Sequence, residues 1–123
     1  MSAAAQILLT FAYALAATIA IELPLSFAFF HPPRFFARST VPVVVLMNIV
    51  TNPALNLILS LLVGAFGRSV YVPAVAVGEI AVVAAEAMIL AAALGLSRRR
   101  ALAVSAVLNG ASFALGLVLG AII

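Results

Sequence analysis

Glu22, Glu79 and Glu86 are the only acidic residues in a chain of 123, and each lies in a long apolar stretch that contains no arginine or histidine. A carboxylate at the centre of a bilayer costs about 2.5–3.5 kcal/mol on insertion scales. A chain that keeps three must protonate them, lend them to a bound cation, or hide them against a partner. Glu79 and Glu86 are seven residues apart, so on a helix they share a face with about 10.5 Å between them along the axis. One ion cannot bridge that gap directly. Two relay positions for a proton or a migrating cation suit it, as does the plainer alternative of a protonated glutamate hydrogen-bonded to a nearby asparagine.

The amides and hydroxyls that could accompany these carboxyls are concentrated in one segment, which carries Asn48, Thr51, Asn52, Pro53 and Asn56. Positions 48, 52 and 56 step by four and make one slowly turning stripe on a helix. Pro53 removes a backbone donor and frees the carbonyl of Ile49. Broken helices at mid-membrane supply hard oxygen ligands in this way. Ordinary hydrogen bonding between helices, worth about 0.6 kcal/mol per contact, is the simpler use of the same residues. Pro24, two residues after Glu22, disturbs the bond to the carbonyl of Ala20 in the same manner.

The pattern recurs. Glu22, an arginine-bearing loop and Asn48-Ile49-Val50-Thr51 are echoed by Glu86, an arginine-bearing loop and Asn109-Gly110-Ala111-Ser112. Two helices per unit would make this a parallel repeat, with its pseudo-axis along the membrane normal. Coincidence in a chain rich in alanine and leucine is the alternative. Depth agrees with a shared site: at 1.5 Å per residue, Glu22 falls about 12 Å and Glu86 about 15 Å from the arginine-side helix ends. On the same basis Asn48 is at about 10 Å, Asn52 about 16 Å and Asn109 about 12 Å. Glu79 and Asn56 lie nearer the opposite side, as an outer approach.

The elements that must position these residues follow from composition. The chain is 67% hydrophobic and 7% charged, with a mean hydropathy of +1.38. A soluble domain is about one quarter charged, and one span takes about 20 apolar residues. The expected fold is therefore all-α, a polytopic membrane bundle of four transmembrane helices that reads as two repeated αα hairpins. The spans fall at about 5–30, 42–66, 73–96 and 101–122, in a single transmembrane domain over 1–123. Connections sit at His31-Pro32-Pro33-Arg34, Gly67-Arg68-Ser69 and Ser97-Arg98-Arg99-Arg100, where consecutive prolines or a glycine with polar neighbours end a helix.

The six positive side chains are all arginines. Antiparallel threading puts Arg34, Arg38, Arg98, Arg99 and Arg100 on one side and Arg68 alone on the other. The positive-inside rule then makes the arginine loops cytoplasmic and both termini external, in a multi-pass protein of the cell inner membrane. Ala14-Leu15-Ala16 looks like a signal cleavage site, but no basic region leads it and the apolar run continues to Phe30. The net charge of +3 is accounted for by membrane orientation, without a nucleic-acid partner.

Zero cysteines exclude disulfides, thiolate metal sites and cysteine nucleophiles. One histidine and no aspartate exclude a multi-histidine metal site and a Ser-His-Asp triad. Phe27, Phe29, Phe30, Phe35 and Phe36 cluster around the first arginine loop as an interfacial anchor, and His31 reads as a solvated loop residue. Ser112, Gly116 and Gly120 step by four, with Ala106 and Gly110 behind, a small-residue face that permits close helix approach. So little interior points to a homo-oligomer.

The stretch from Asn48 to Asn56, Glu79 with Glu86, and Arg100-Ala101-Leu102-Ala103-Val104-Ser105 followed by Asn109 and Ser112 resemble small four-helix bacterial membrane proteins of unassigned function. The resemblance covers the last two thirds of the chain and implies no activity. In size and intramembrane carboxyls the chain is also comparable to small multidrug transporters, but it lacks their characteristic sequence, including any tryptophan.

The expectation is an intramembrane site that binds or passes a cation, or that uses protons to export a small organic cation. Glu22 and Glu86 would carry the charge, with Asn48, Thr51, Asn52, Asn109 and Ser112 as neutral oxygen ligands and Glu79 and Asn56 as the approach. Oxygen-only ligands favour H⁺, Na⁺, Mg²⁺ or Ca²⁺ over soft metals. No catalytic residue and no cofactor beyond a hard cation is expected. Two rivals use the same residues: a non-catalytic subunit whose glutamates pair with a membrane partner, and a lipid-modifying enzyme.

Overall fold

The computed structural model describes residues 2–29 and 33–122, without the side chains of 3, 33–38 and 119–122. Four helices follow one another: α1 (Ala3–Phe29), α2 (Pro33–Phe66), α3 (Tyr71–Leu94) and α4 (Arg98–Ile122), with a three-residue 3₁₀ turn at Arg68–Val70. Each is long and apolar enough to cross a membrane.

Local chemistry sets the ends. Ser2 Oγ accepts from the Ala5 N–H at 3.2 Å, a side-chain cap on α1. Gly67, at φ 83, follows α2, and Gly95, at φ 64, takes the left-handed conformation that closes α3. Ser97 Oγ accepts from the Arg100 N–H at 3.4 Å and caps α4.

All four helices begin earlier than expected, α1 and α3 by a little and α2 and α4 by more. The span expected from about 42 extends back to Pro33, because proline is pre-organised for a first helical position, where its missing N–H has no partner to lose. The helix then runs on through Pro42 and Pro53, as α1 does through Pro24. The arginine triplet, expected as loop, forms the first turn of α4. Arg100 Nη2 donates to the carbonyl of Phe29 at 2.8 Å, tying the start of α4 to the last turn of α1. Arg34 and Arg38 fall in the first turns of α2 with side chains outside the described set, as are those of Phe35 and Phe36. Phe30 and His31 lie outside the described residues altogether, and so does the side of α4 at Gly120.

Every helix packs on its neighbour in sequence, and α1 closes the circle against α4. The interior is half polar: buried Glu22, Ser26, Thr40, Asn48, Thr51, Glu86, Ser105 and Asn109 match in number the buried apolar side chains. Large apolar groups such as Leu46, Val72, Ile80, Met88 and Leu117 are exposed around the outside. At the arginine end, Val44, Leu90, Ala101 and Val104 join Met47 and Leu108 in an apolar cluster, with Leu23 and Phe29 packed against it. One close approach lies beyond it: Gly78 of α3 faces Leu55 of α2 with no room for a Cβ.

A positive-φ glycine and a helical glycine with open space around it should respond oppositely to alanine. Gly95→Ala is expected to destabilise the fold by about 1–2 kcal/mol, the cost of a left-handed residue with a Cβ. Gly64→Ala in α2, where a Cβ meets nothing within 4 Å, should be neutral or stabilising by up to about 1 kcal/mol. Unfolding of the purified protein by denaturing detergent would measure both.

Candidate functional site

Glu22 enters from α1 and Glu86 from α3, each fully buried. Asn48 Nδ2 donates to Glu22 Oε2 at 2.8 Å and, with its second hydrogen, to the carbonyl of Val44 at 3.0 Å. Asn109 Nδ2 repeats this in the second hairpin, reaching Glu86 Oε2 and the carbonyl of Ser105. A carboxylate only accepts, so an amide beside one must turn its nitrogen towards it. Asn48 and Asn109 therefore act as donors here.

The hydroxyls cross over. Thr51 Oγ1, one turn beyond Asn48, lies 2.7 Å from Glu86 Oε1. Ser112 Oγ, one turn beyond Asn109, lies 2.9 Å from Glu22 Oε1. Each carboxyl thus takes an amide from its own hairpin and a hydroxyl from the other, and the bonds close into a ring through all four helices. Each of the four helix–helix contacts carries one of these bonds. All four donors are neutral.

Each ring hydroxyl also has a second acceptor. Thr51 Oγ1 is 2.9 Å from the carbonyl of Met47, and Ser112 Oγ is 3.1 Å from the carbonyl of Asn109. One proton per hydroxyl faces two oxygens, so only one can be served fully at a time.

Beyond the ring, away from the arginines, lies a small polar cavity of about 90 Å³. Glu86, Asn48, Thr51, Asn109 and Ser112 look into it, and Glu79, Asn52 and Thr18 form its far wall. Glu22 is not part of that lining, so Glu86 is the ring carboxyl in contact with the space, with Glu79 on the wall opposite. The volume exceeds what one water needs, and the lining supplies the polar partners. On the other side Val44, Leu90, Ala101 and Val104, at most 2% exposed, lie one turn or more nearer the arginine end, with buried Ser26, Thr40 and Ser105 among them. The polar cavity is on the Glu79 side of the ring.

Of the residues singled out in the sequence, the structure draws Glu22, Glu86, Asn48, Thr51, Asn109 and Ser112 into the ring. Asn52 is on the cavity wall, where its Nδ2 donates to Thr18 Oγ1 at 3.0 Å. Asn56 Nδ2 donates back to Asn52 at 3.0 Å, so the outer half of the amide stripe bonds along itself. Glu79 reaches the cavity wall without a hydrogen-bond partner among the described residues. Ser112 belongs to the ring rather than to a docking face, and a Cβ on Gly110 or Gly116 would meet nothing within 4 Å.

Two participants escaped the sequence reading. Thr18 lies one turn before Glu22. Ser105 lies one turn before Asn109 and donates to the carbonyl of Val83 at 3.0 Å. In both cases the four-residue spacing from a site residue was the available signal.

Cutting the ring at one hydroxyl should be mild and specific. Ser112→Ala is expected to cost about 0.6–1.7 kcal/mol, the range for hydrogen bonds between membrane helices. A double-mutant cycle with Glu22→Gln should recover most of that as coupling, while a cycle with Glu79→Gln should recover none. Neither a protein-family model, nor a curated protein, nor a solved structure matches this chain, so the chemistry of the site stands on its own residues.

Proposed function

We propose that the chain is a multi-pass membrane protein whose Glu22–Glu86 ring takes up and releases protons, as the working part of a proton-coupled cation transporter. The observation that carries this reading is the placement of each ring hydroxyl between a carboxyl oxygen and a helix carbonyl. With the carboxyl ionised, the hydroxyl donates to it. With the carboxyl protonated, the acid O–H donates to the hydroxyl oxygen, and the hydroxyl hydrogen turns to the carbonyl of Met47 or Asn109. Both protonation states are fully bonded with heavy atoms in place, so neither leaves a buried group unpaired.

The donor set favours H⁺ over the other hard cations. Ca²⁺ takes six to eight oxygen ligands and Mg²⁺ an octahedron, whereas the ring turns amide nitrogens and hydroxyl protons towards its carboxyls. The ionisable groups facing one another are few: Glu22 from α1, Glu86 and Glu79 from α3, and none from α2 or α4, which bring only amides and hydroxyls. Glu79 and the polar cavity form the approach from the side away from the arginines. The positive-inside rule makes that side external, with both termini, in the inner membrane.

The equivalent bonds of the two hairpins favour a duplicated αα unit. Asn48 and Asn109 each bond the carbonyl four residues back and the glutamate of their own hairpin. Thr51 and Ser112, three residues further on, each bond the glutamate of the other.

Two carboxyls in one closed ring should titrate as a coupled pair, in two steps shared between them. Infrared spectra of the lipid-embedded protein over a pH series are expected to show a carboxylic-acid carbonyl band lost in two steps as pH rises. Glu22→Gln or Glu86→Gln should reduce the pair to one step, and Glu86→Gln should abolish proton uptake by liposomes under an imposed gradient. A band that does not change with pH would refute the proton reading. Because the chain has no cysteine, orientation can be read from single replacements. Ser69→Cys should react with an impermeant thiol reagent added to whole cells, and Arg99→Cys only after the membrane is opened.

A further inference from the structure

Along their outer face, α3 and α4 leave a groove of about 660 Å³, within the size range of small-molecule sites. Its depth comes from small residues, Ala106 and Gly110 on α4, between larger walls such as Ile80 and Phe113. Almost all of the lining is apolar. The exceptions at its centre are Glu79 and Asn109, and these two with Phe113 also line the polar cavity. The groove and the polar cavity therefore share a wall, with Glu79 common to both.

In a bilayer an apolar groove is filled by whatever matches it, and Glu79 restricts the match. It is the only carboxyl in the groove, it lies eight residues or about 12 Å inside α3, and it has no hydrogen-bond partner among the described residues. A lipid phosphate would be repelled. A second copy of the chain brings no cation to that depth, because all six of its positive side chains sit at helix ends or in turns. What satisfies both the apolar walls and the carboxylate is one molecule with an apolar body and a positive head.

We propose that the α3–α4 groove binds an amphipathic organic cation, with its apolar part along Ala106 and Gly110 and its head against Glu79. This rests on the reading of the ring as a proton site, since cargo at Glu79 and a proton at Glu86 would share one cavity and compete for it. Their mutual exclusion is the physical basis for exchanging one for the other.

The test uses the full chain in lipid nanodiscs and radiolabelled decyltrimethylammonium as the probe. Saturable binding is expected, weakened about tenfold or more by Glu79→Gln and by Gly110→Leu. The second replacement fills the groove from a position where a Cβ meets nothing within 4 Å, and an unchanged Ser112–Glu22 coupling in that variant checks that the bundle is intact. Decyl sulfate, with the same chain and opposite charge, should not compete. Binding that never saturates, that ignores both replacements, or that decyl sulfate displaces equally would overturn the proposal. The infrared titration of the same samples separates the two readings. Cation binding with no carboxyl titration in the wild type sinks the proton reading alone. A two-step titration without Glu79-dependent binding sinks this one alone.

Discussion

Two carboxyls buried among neutral donors set the terms for the whole bundle. The four helices are long and apolar enough to cross a membrane. In lipid there would be little hydrophobic drive for one apolar helix to prefer another, so polar contacts and close packing would select the arrangement. Here the polar contacts form a ring, with one bond across each helix–helix contact: Glu22 to Asn48, Thr51 to Glu86, Glu86 to Asn109, and Ser112 to Glu22. Turning any one helix by a single residue, about 100°, would break two bonds and leave buried groups unpaired. The rotation of each helix is therefore fixed by its neighbours on both sides. The individual bonds are weak, and their closure into a circuit is what makes the arrangement specific.

The ring also divides the interior into two unlike halves. Towards the arginines α2, α3 and α4 contribute the buried apolar Val44, Leu90, Ala101 and Val104, with buried Ser26, Thr40 and Ser105 beside them. Away from the arginines α1, α2 and α3 contribute Thr18, Asn52 and Glu79, and a cavity opens. On α2 and α3 the difference originates one or two turns from the ring. Four residues on from Glu86 lies Leu90, and seven residues back lies Glu79. Four residues back from Asn48 lies Val44, and four residues on lies Asn52. Helical periodicity places these on one face, and on these two helices side-chain chemistry makes the Glu79 side the polar one.

Much of this could be read in advance, for a definite reason. The carboxyls, amides and hydroxyls stand out against an apolar background, and their spacing on a helix translates into depth, so the meeting of Glu22, Glu86, Asn48 and Asn109 followed from counting residues. The crossing of Thr51 and Ser112 to the opposite hairpin did not follow, because it depends on which helix faces which and no local pattern records that. The bond from Arg100 to the Phe29 carbonyl was hidden likewise, joining residues 71 apart. The early start of α2 was missed because Pro32-Pro33 reads equally well as a stop and as a start. The lateral groove was invisible because Ala106 and Gly110 look like any small-residue face until the walls around them are known.

A repeat of the kind proposed would constrain how such a site could ever face the other way. Inverted repeats change the side of access when their two halves exchange conformations. Hairpins related by an axis along the membrane normal present the same end to the same side, so exchanging their conformations leaves the access unchanged. An opening towards the arginines would have to part the buried layer of Val44, Leu90, Ala101 and Val104. The two hairpins are unequal in that respect. Pro24 follows Glu22 by two residues and Pro42 lies beside Val44, both in the first hairpin and both where a backbone hydrogen bond is missing. The second hairpin has only Pro73, in the first turn of α3, far from Leu90 and Val104. Missing backbone bonds are where helices bend, and the two prolines nearest the ring on that side belong to α1 and α2, while α3 and α4 hold Glu79, Glu86 and the groove.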